Sequence, residues 1–92
     1  MHLEYTSNVA PYRTGTIKGL SLAKIRTTLS EIAPDTRLSH DKKTTIAWRF
    51  LANGELCGIW DYKRDYEVLG ELSTFGPDAI FTELFGKSYS PC

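Results

Sequence analysis

The chain has 92 residues, 41% hydrophobic and 12% aromatic, and its eleven Lys and Arg balance eleven Asp and Glu. Such a composition excludes a disordered tail, and a neutral chain with pI near 6.7 argues against a polyanion binder and against an acidic mimic of DNA. No apolar run approaches the ~18 residues of a membrane span, and the opening Met1-His2-Leu3-Glu4-Tyr5 does not read as a signal peptide. A single domain over 1–92 is expected, away from membranes. Chains of this size bury only about 60–65% of their unfolded surface, so each large side chain in the core counts.

In chain order, residues 1–11 read as a loose segment or an edge strand, because Pro11 limits pairing. Arg13 to Ile17 is β-prone but interrupted by Gly15. Ser21 is placed to cap a helix, and Leu22, Ile25, Leu29 and Ile32 then repeat as one apolar stripe. Pro34 cannot continue it, which predicts a helix over 22–33. Residues 35–43 are a polar connection. Thr44–Ala52 and Glu55–Tyr62 are β-branched and aromatic runs joined by Asn53-Gly54, the strongest short hairpin signal, since a type I′ turn needs positive φ at both central residues. A two-residue turn sets Phe50 opposite Cys57 and Trp48 opposite Ile59. Alternation then makes that face the core, with Ile46 alongside. Lys63 to Glu67 reads as a charged turn and 68–74 as a third strand weakened by Gly70. Pro77-Asp78 opens a second helix over 77–85, ended by Gly86. Residues 87–92 form a tail. The expected fold is α+β: a three- to four-stranded antiparallel sheet packed by two helices.

Chemistry is thinly represented. Cys57 lies in an apolar stretch and reads as a free, buried thiol, while Cys92 ends the chain; with His2 and His40 far apart there is no zinc spacing. Ser39-His40-Asp41 are consecutive and would point in different directions, unlike a hydrogen-bonded triad. Gly15–Gly19 lacks the Gly-Lys-Ser/Thr of a phosphate loop, and Asp61 with Asp65 or Glu67 reads as a solvated rim. No catalytic residue, metal or cofactor is expected, and the protein is read as not an enzyme.

The second hairpin face carries Ala47, Arg49, Leu51, Leu56, Trp60 and Tyr62. Trp60, Tyr62 and Arg49 are residue types that dominate protein interfaces, and Lys63, Arg64 and Asp65 would rim the patch. Those six residues are the candidate protein-binding site. Alternatively a helix or the N-terminal segment covers this face and Trp60 belongs to the core. Residues 1–45 carry net +3 and residues 46–92 net −3. Lys24, Arg26, Lys42 and Lys43 would therefore suit a nucleic-acid-binding regulator, although a solvated helix face accounts for them equally. A small-ligand-binding regulator or a structural component is the other alternative, and a flat aromatic face would also serve a homodimer.

Gly19-Leu20-Ser21, Trp48-Arg49-Phe50, Gly54, Cys57-Gly58-Ile59-Trp60-Asp61-Tyr62-Lys63, Ser73-Thr74-Phe75-Gly76-Pro77 and Phe81 with Leu84-Phe85-Gly86 resemble a class of short accessory proteins carried by tailed bacteriophages. The resemblance covers about residues 15–86. The chain departs from that class at Lys63–Glu67, which stands where the class has a short Lys-Gly turn. The resemblance implies a phage-encoded early protein made in the host cytoplasm, which binds a host defence or regulatory protein and inhibits or modulates it.

Overall fold

The computed structural model describes residues 1–36, 44–62 and 65–92. In chain order the elements are β1 (Leu3–Tyr5), β2 (Gly15–Lys18), α1 (Leu22–Thr28), β3 (Thr44–Ala52), β4 (Glu55–Tyr62), α2 (Asp65–Leu69), β5 (Glu71–Phe75), α3 (Asp78–Phe85), a 3-10 turn (Gly86–Ser88) and β6 (Tyr89–Pro91). The strands form one antiparallel sheet in the order β1-β3-β4-β5-β2-β6. The fold is α+β, with six strands and three helices among the described residues where three or four strands and two helices were expected.

The hairpin lies as the sequence predicts. Asn53 and Gly54 have φ of 51° and 85°, the doubly positive turn whose twist matches that of the strands. Trp48 pairs with Ile59 and Phe50 with Cys57. All four side chains are buried. The pairing slips once, between Thr44 and Ala47. Against this face pack Ile25 of α1, Leu29 just beyond it, and Phe81 and Phe85 of α3, with Ile17 and Leu72 from the neighbouring strands. Phe81 is the hub of the aromatic packing, edge-on to Phe50 at 6.5 Å and stacked on Tyr89 at 5.3 Å. The Trp48 indole Nε1 is buried with no partner among the described residues, a cost of about 1–3 kcal/mol that burial of the ring must outweigh.

Three boundaries differ from expectation: the end of α1 and the starts of β5 and α3. Ser21 caps α1, its Oγ accepting from the Lys24 N–H at 3.0 Å, but the helix stops at Thr28 rather than continuing to 33. Thr27 and Thr28 donate their hydroxyls to the carbonyls of Ala23 and Lys24, a back-bonding that weakens a helix already rich in β-branched residues. Leu29 and Ile32 still reach the core from the turns beyond it. The third strand begins at Glu71, not at 68, because part of the expected charged turn is helical. Asp61 Oδ1 accepts from the Tyr66 N–H at 3.0 Å, and Asp65 and Glu67 sit in the first turn of α2, where the helix dipole favours acids. Gly70, at φ 67°, ends the helix and turns the chain into β5. Pro77 stands just before α3 rather than within it.

The two ends expected to be loose also carry strands. Leu3–Tyr5 pairs with Phe50–Ala52, and Tyr89–Pro91 pairs with β2. Gly15 does not break β2 but admits the tail. A Cβ there would stand 2.5 Å from the Tyr89 hydroxyl, so only glycine lets that ring lie against the strand, with its hydroxyl donating to Asp78.

Two outcomes follow for stability. Trp48→Ala removes a fully buried ring and should cost about 3–5 kcal/mol in denaturant unfolding, a large share of the roughly 5–10 kcal/mol expected of a small domain. Near-native stability would contradict the register. Burial pushes the Cys57 thiol up from 9.0 to about 11, aided by the Glu55 charge. Burial, then the Asp78 carboxylate, pushes the Tyr89 hydroxyl up from 10.0 to about 12. The native state therefore holds protons that the unfolded chain has released, and stability is expected to fall as pH rises from 9 towards 11 and, for Tyr89, from 10 towards 12. Cys57→Ala should flatten the loss over the lower window, as read by urea midpoints across that range.

Candidate protein-binding face

Opposite α1 and α3, the sheet presents its second face. Alternation along β3 and β4 places Ala47, Arg49 and Leu51 there with Leu56, Gly58, Trp60 and Tyr62. The β4–β5 register adds Ser73 and Phe75, and β2 and β6 add Thr16, Lys18 and Ser90. The β2 side is polar, with Lys18 and Glu71 forming a surface ion pair at 3.7 Å. The apolar side chains of this face are concentrated on β3, β4 and β5.

A strap runs across the middle of this face. The chain leaves β1, and the Thr6 N–H donates to the Arg49 carbonyl at 3.3 Å. Ala10 lies over Gly58, where a Cβ would come within 3.3 Å of the Ala10 methyl. Tyr12 packs edge-on against Phe75, ring centroids 5.2 Å apart. The Thr14 N–H then donates to the Thr74 carbonyl at 2.7 Å, and its hydroxyl bonds both the N–H and the carbonyl of Gly76. Residues 6–14 are thus held at both ends and in the middle, without regular secondary structure.

Arg49 is the main tie at the β1 side. Its guanidinium pairs with Asp35, both side chains largely buried, and also donates to the Ser7 carbonyl at 3.4 Å. Asp35 is itself bonded to β3 through two backbone hydrogen bonds with Ala47, at 2.6 and 2.9 Å. One cation therefore joins the strap, strand β3 and the segment that follows α1. A charge so placed is costly to strand, because the remaining partner would keep its burial without its counter-ion.

The six expected site residues are not equivalent. Trp60 and Tyr62 share the face; Trp60 is half-buried and Tyr62 is 38% exposed. Arg49 is engaged within the fold rather than standing as a free rim charge. Asp65 opens α2, whose Tyr66 packs against the core and donates its hydroxyl to the Leu20 carbonyl. Lys63 and Arg64 lie outside the described residues, as do Ser39-His40-Asp41 and the Lys42-Lys43 part of the basic patch. Among the described residues no group of three His, Cys, Asp or Glu side chains is placed to hold a metal ion, and no helix is long and apolar enough to cross a membrane.

The N-terminal segment crosses this face, as the alternative sequence reading had it, but Trp60 stays half-exposed rather than joining the core, and the Asp35 pairing was not foreseen. Gly58 carried the signal: a glycine in the middle of a strand often marks a close approach by another stretch of backbone. Nothing local to Arg49 points to Asp35, fourteen residues away across a polar connection.

Arg49→Ala should lower stability by about 1–3 kcal/mol, since it leaves Asp35 without its guanidinium. It should also raise amide exchange over 6–10 selectively, as measured by hydrogen exchange; unchanged protection there would remove Arg49 from its role as the tie. No protein-family model, curated protein or solved structure matches the chain.

Proposed function

We propose that the protein is a non-enzymatic protein-binding module that holds its partner through the Trp60 and Tyr62 end of the strapped face. The supporting observation is the exposure of Tyr62 beside half-buried Trp60 on the sheet face opposite α1 and α3. Large rings held by a sheet lose few torsions on binding, so two of them can supply much of an interface's energy. Lys63, Arg64 and Asp65, which follow Tyr62 in the chain, would orient the partner and speed its arrival more than tighten it. Arg49 supports the face from within by fixing the strap. Together with the resemblance to phage accessory proteins, the partner is a host defence or regulatory protein in the host cytoplasm, which the module inhibits or modulates.

The test is capture from host lysate by the full chain, before and after nuclease and at 50 and 200 mM salt. Wild-type capture should survive both treatments, whereas phosphate binding would weaken steeply over that salt range. Trp60→Ala, once shown to fold, should weaken capture about thirtyfold or more, the scale of an interface hot spot. Lys63→Glu and Arg64→Glu should act mainly on the association rate. A folded Trp60→Ala protein that captures as wild type would place the site elsewhere, and loss of capture on nuclease treatment would favour the nucleic-acid alternative.

A further inference from the structure

Above Gly58 the strap and Trp60 share one small space. A Cβ on Gly58 would stand 3.3 Å from the Ala10 methyl and 3.7 Å from Trp60 Cζ3, so the methyl and the ring edge both border it. Gly58 is buried and Trp60 half-buried. The strap keeps this position with few ties. Between Thr6 and Thr14, among the described residues, it is hydrogen-bonded to the sheet only by the Arg49 guanidinium, 3.4 Å from the Ser7 carbonyl. Ser7, Asn8, Val9, Pro11, Tyr12 and Arg13 are all exposed, and Tyr12 adds its edge contact with Phe75. The strap also has slack. Its ends lie on the β1 and β2 lines of the sheet, four inter-strand spacings or roughly 19 Å apart, whereas eight residue steps can span roughly 26 Å. The middle can therefore rise while both ends stay fastened.

A segment that buries little over a well-packed sheet is the kind that opens locally, well below the cost of global unfolding. We propose that the strap is an autoinhibitory cover: closed, it withholds the Gly58 side of the Trp60 ring from a partner, and lifted, it adds that side to the surface beside Tyr62. The latch is the pairing of Arg49 with Asp35, which holds the guanidinium that reaches Ser7. The room over Gly58 that admits the Ala10 methyl then admits an apolar side chain of the partner, whose burial against the ring adds to binding. Capture of a partner includes the work of lifting the strap, so the strap sets how much of the site is available. This regulation rests on reading the Trp60 end of the face as the partner's seat.

Two experiments on the full chain test the cover. In Ala10→Cys with Cys92→Ser, N-ethylmaleimide labelling reads strap lifting at the introduced thiol and global unfolding at buried Cys57. The introduced thiol should react about a hundredfold faster than Cys57, and Asp35→Asn should speed it about tenfold further, because the latch sets the opening equilibrium. Labelling no faster than at Cys57, or a rate indifferent to Asp35→Asn, would overturn the cover. Ala10→Cys with Gly58→Cys, in the same Cys92→Ser background, brings two Cβ atoms close to the roughly 3.8 Å of a disulfide. Oxidised, this variant should capture about tenfold less from host lysate than the same molecule reduced, a loss of one decade in affinity. Equal capture in the two states would overturn the cover as well. Failure of the broader reading would appear instead as unchanged capture by a folded Trp60→Ala protein, with the labelling pattern intact.

Discussion

The Asn53-Gly54 turn holds β3 and β4 in a register that the remainder of the fold presupposes. With both central residues at positive φ, the strands keep one register from the Ala52 and Glu55 pair to the Ala47 and Trp60 pair, and alternation sends Trp48, Phe50, Cys57 and Ile59 to one side. A slip of one residue would turn these side chains to the opposite face and bring Arg49 and Trp60 towards the helices. Phe81 could not then meet Phe50, nor Ile25 and Leu29 the centre of the sheet. The helices are short, seven and eight residues, and too brief to be stable alone; they depend on the apolar face the turn sets up.

The two faces of the sheet are closed by different means. Helices α1 and α3 cover one with aliphatic and aromatic side chains, which needs no directional bonding. The other is crossed by a strand-like strap with no partner strand, and such a segment must satisfy its backbone by individual contacts. Arg49 answers part of that need by reaching the Ser7 carbonyl while pairing with Asp35. Because the strap is narrow, it leaves aromatic surface beside it, where Tyr62 stands near Trp60, while the strap's own Tyr12 rests on Phe75. The exposed rings are therefore a by-product of closing the sheet with a single crossing of chain.

The sheet ends in two three-residue strands, β1 and β6. Short edges offer little template for another chain, and Pro91 removes one donor from the outer strand. These end segments also enlarge a thin core. Leu3 and Tyr89 are both buried, and Tyr89 stacks on Phe81 while its hydroxyl reaches Asp78. In a chain of this size, recruiting the termini is a direct way to bury more apolar surface.

How much of this was legible in the sequence follows from the range of each interaction. The hairpin, its register, the buried face, the α1 cap at Ser21 and the helix after Pro77 are governed by residues within a turn or two of one another, and the sequence alone determined them. The α2 helix was equally local, written in Asp65, Glu67 and Gly70, and was missed because acids near a strand end also suit a turn. For the candidate site, alternation alone put Arg49, Trp60 and Tyr62 on one face. The tertiary structure decided that Arg49 is spoken for by Asp35, that Tyr12 rests on Phe75, and that both chain ends join the sheet. Those contacts link residues 14, 63 and more positions apart, and no period or spacing encodes them. They depend on which strand edges and which patches of surface the local elements leave open once assembled, and that exists only in the folded chain.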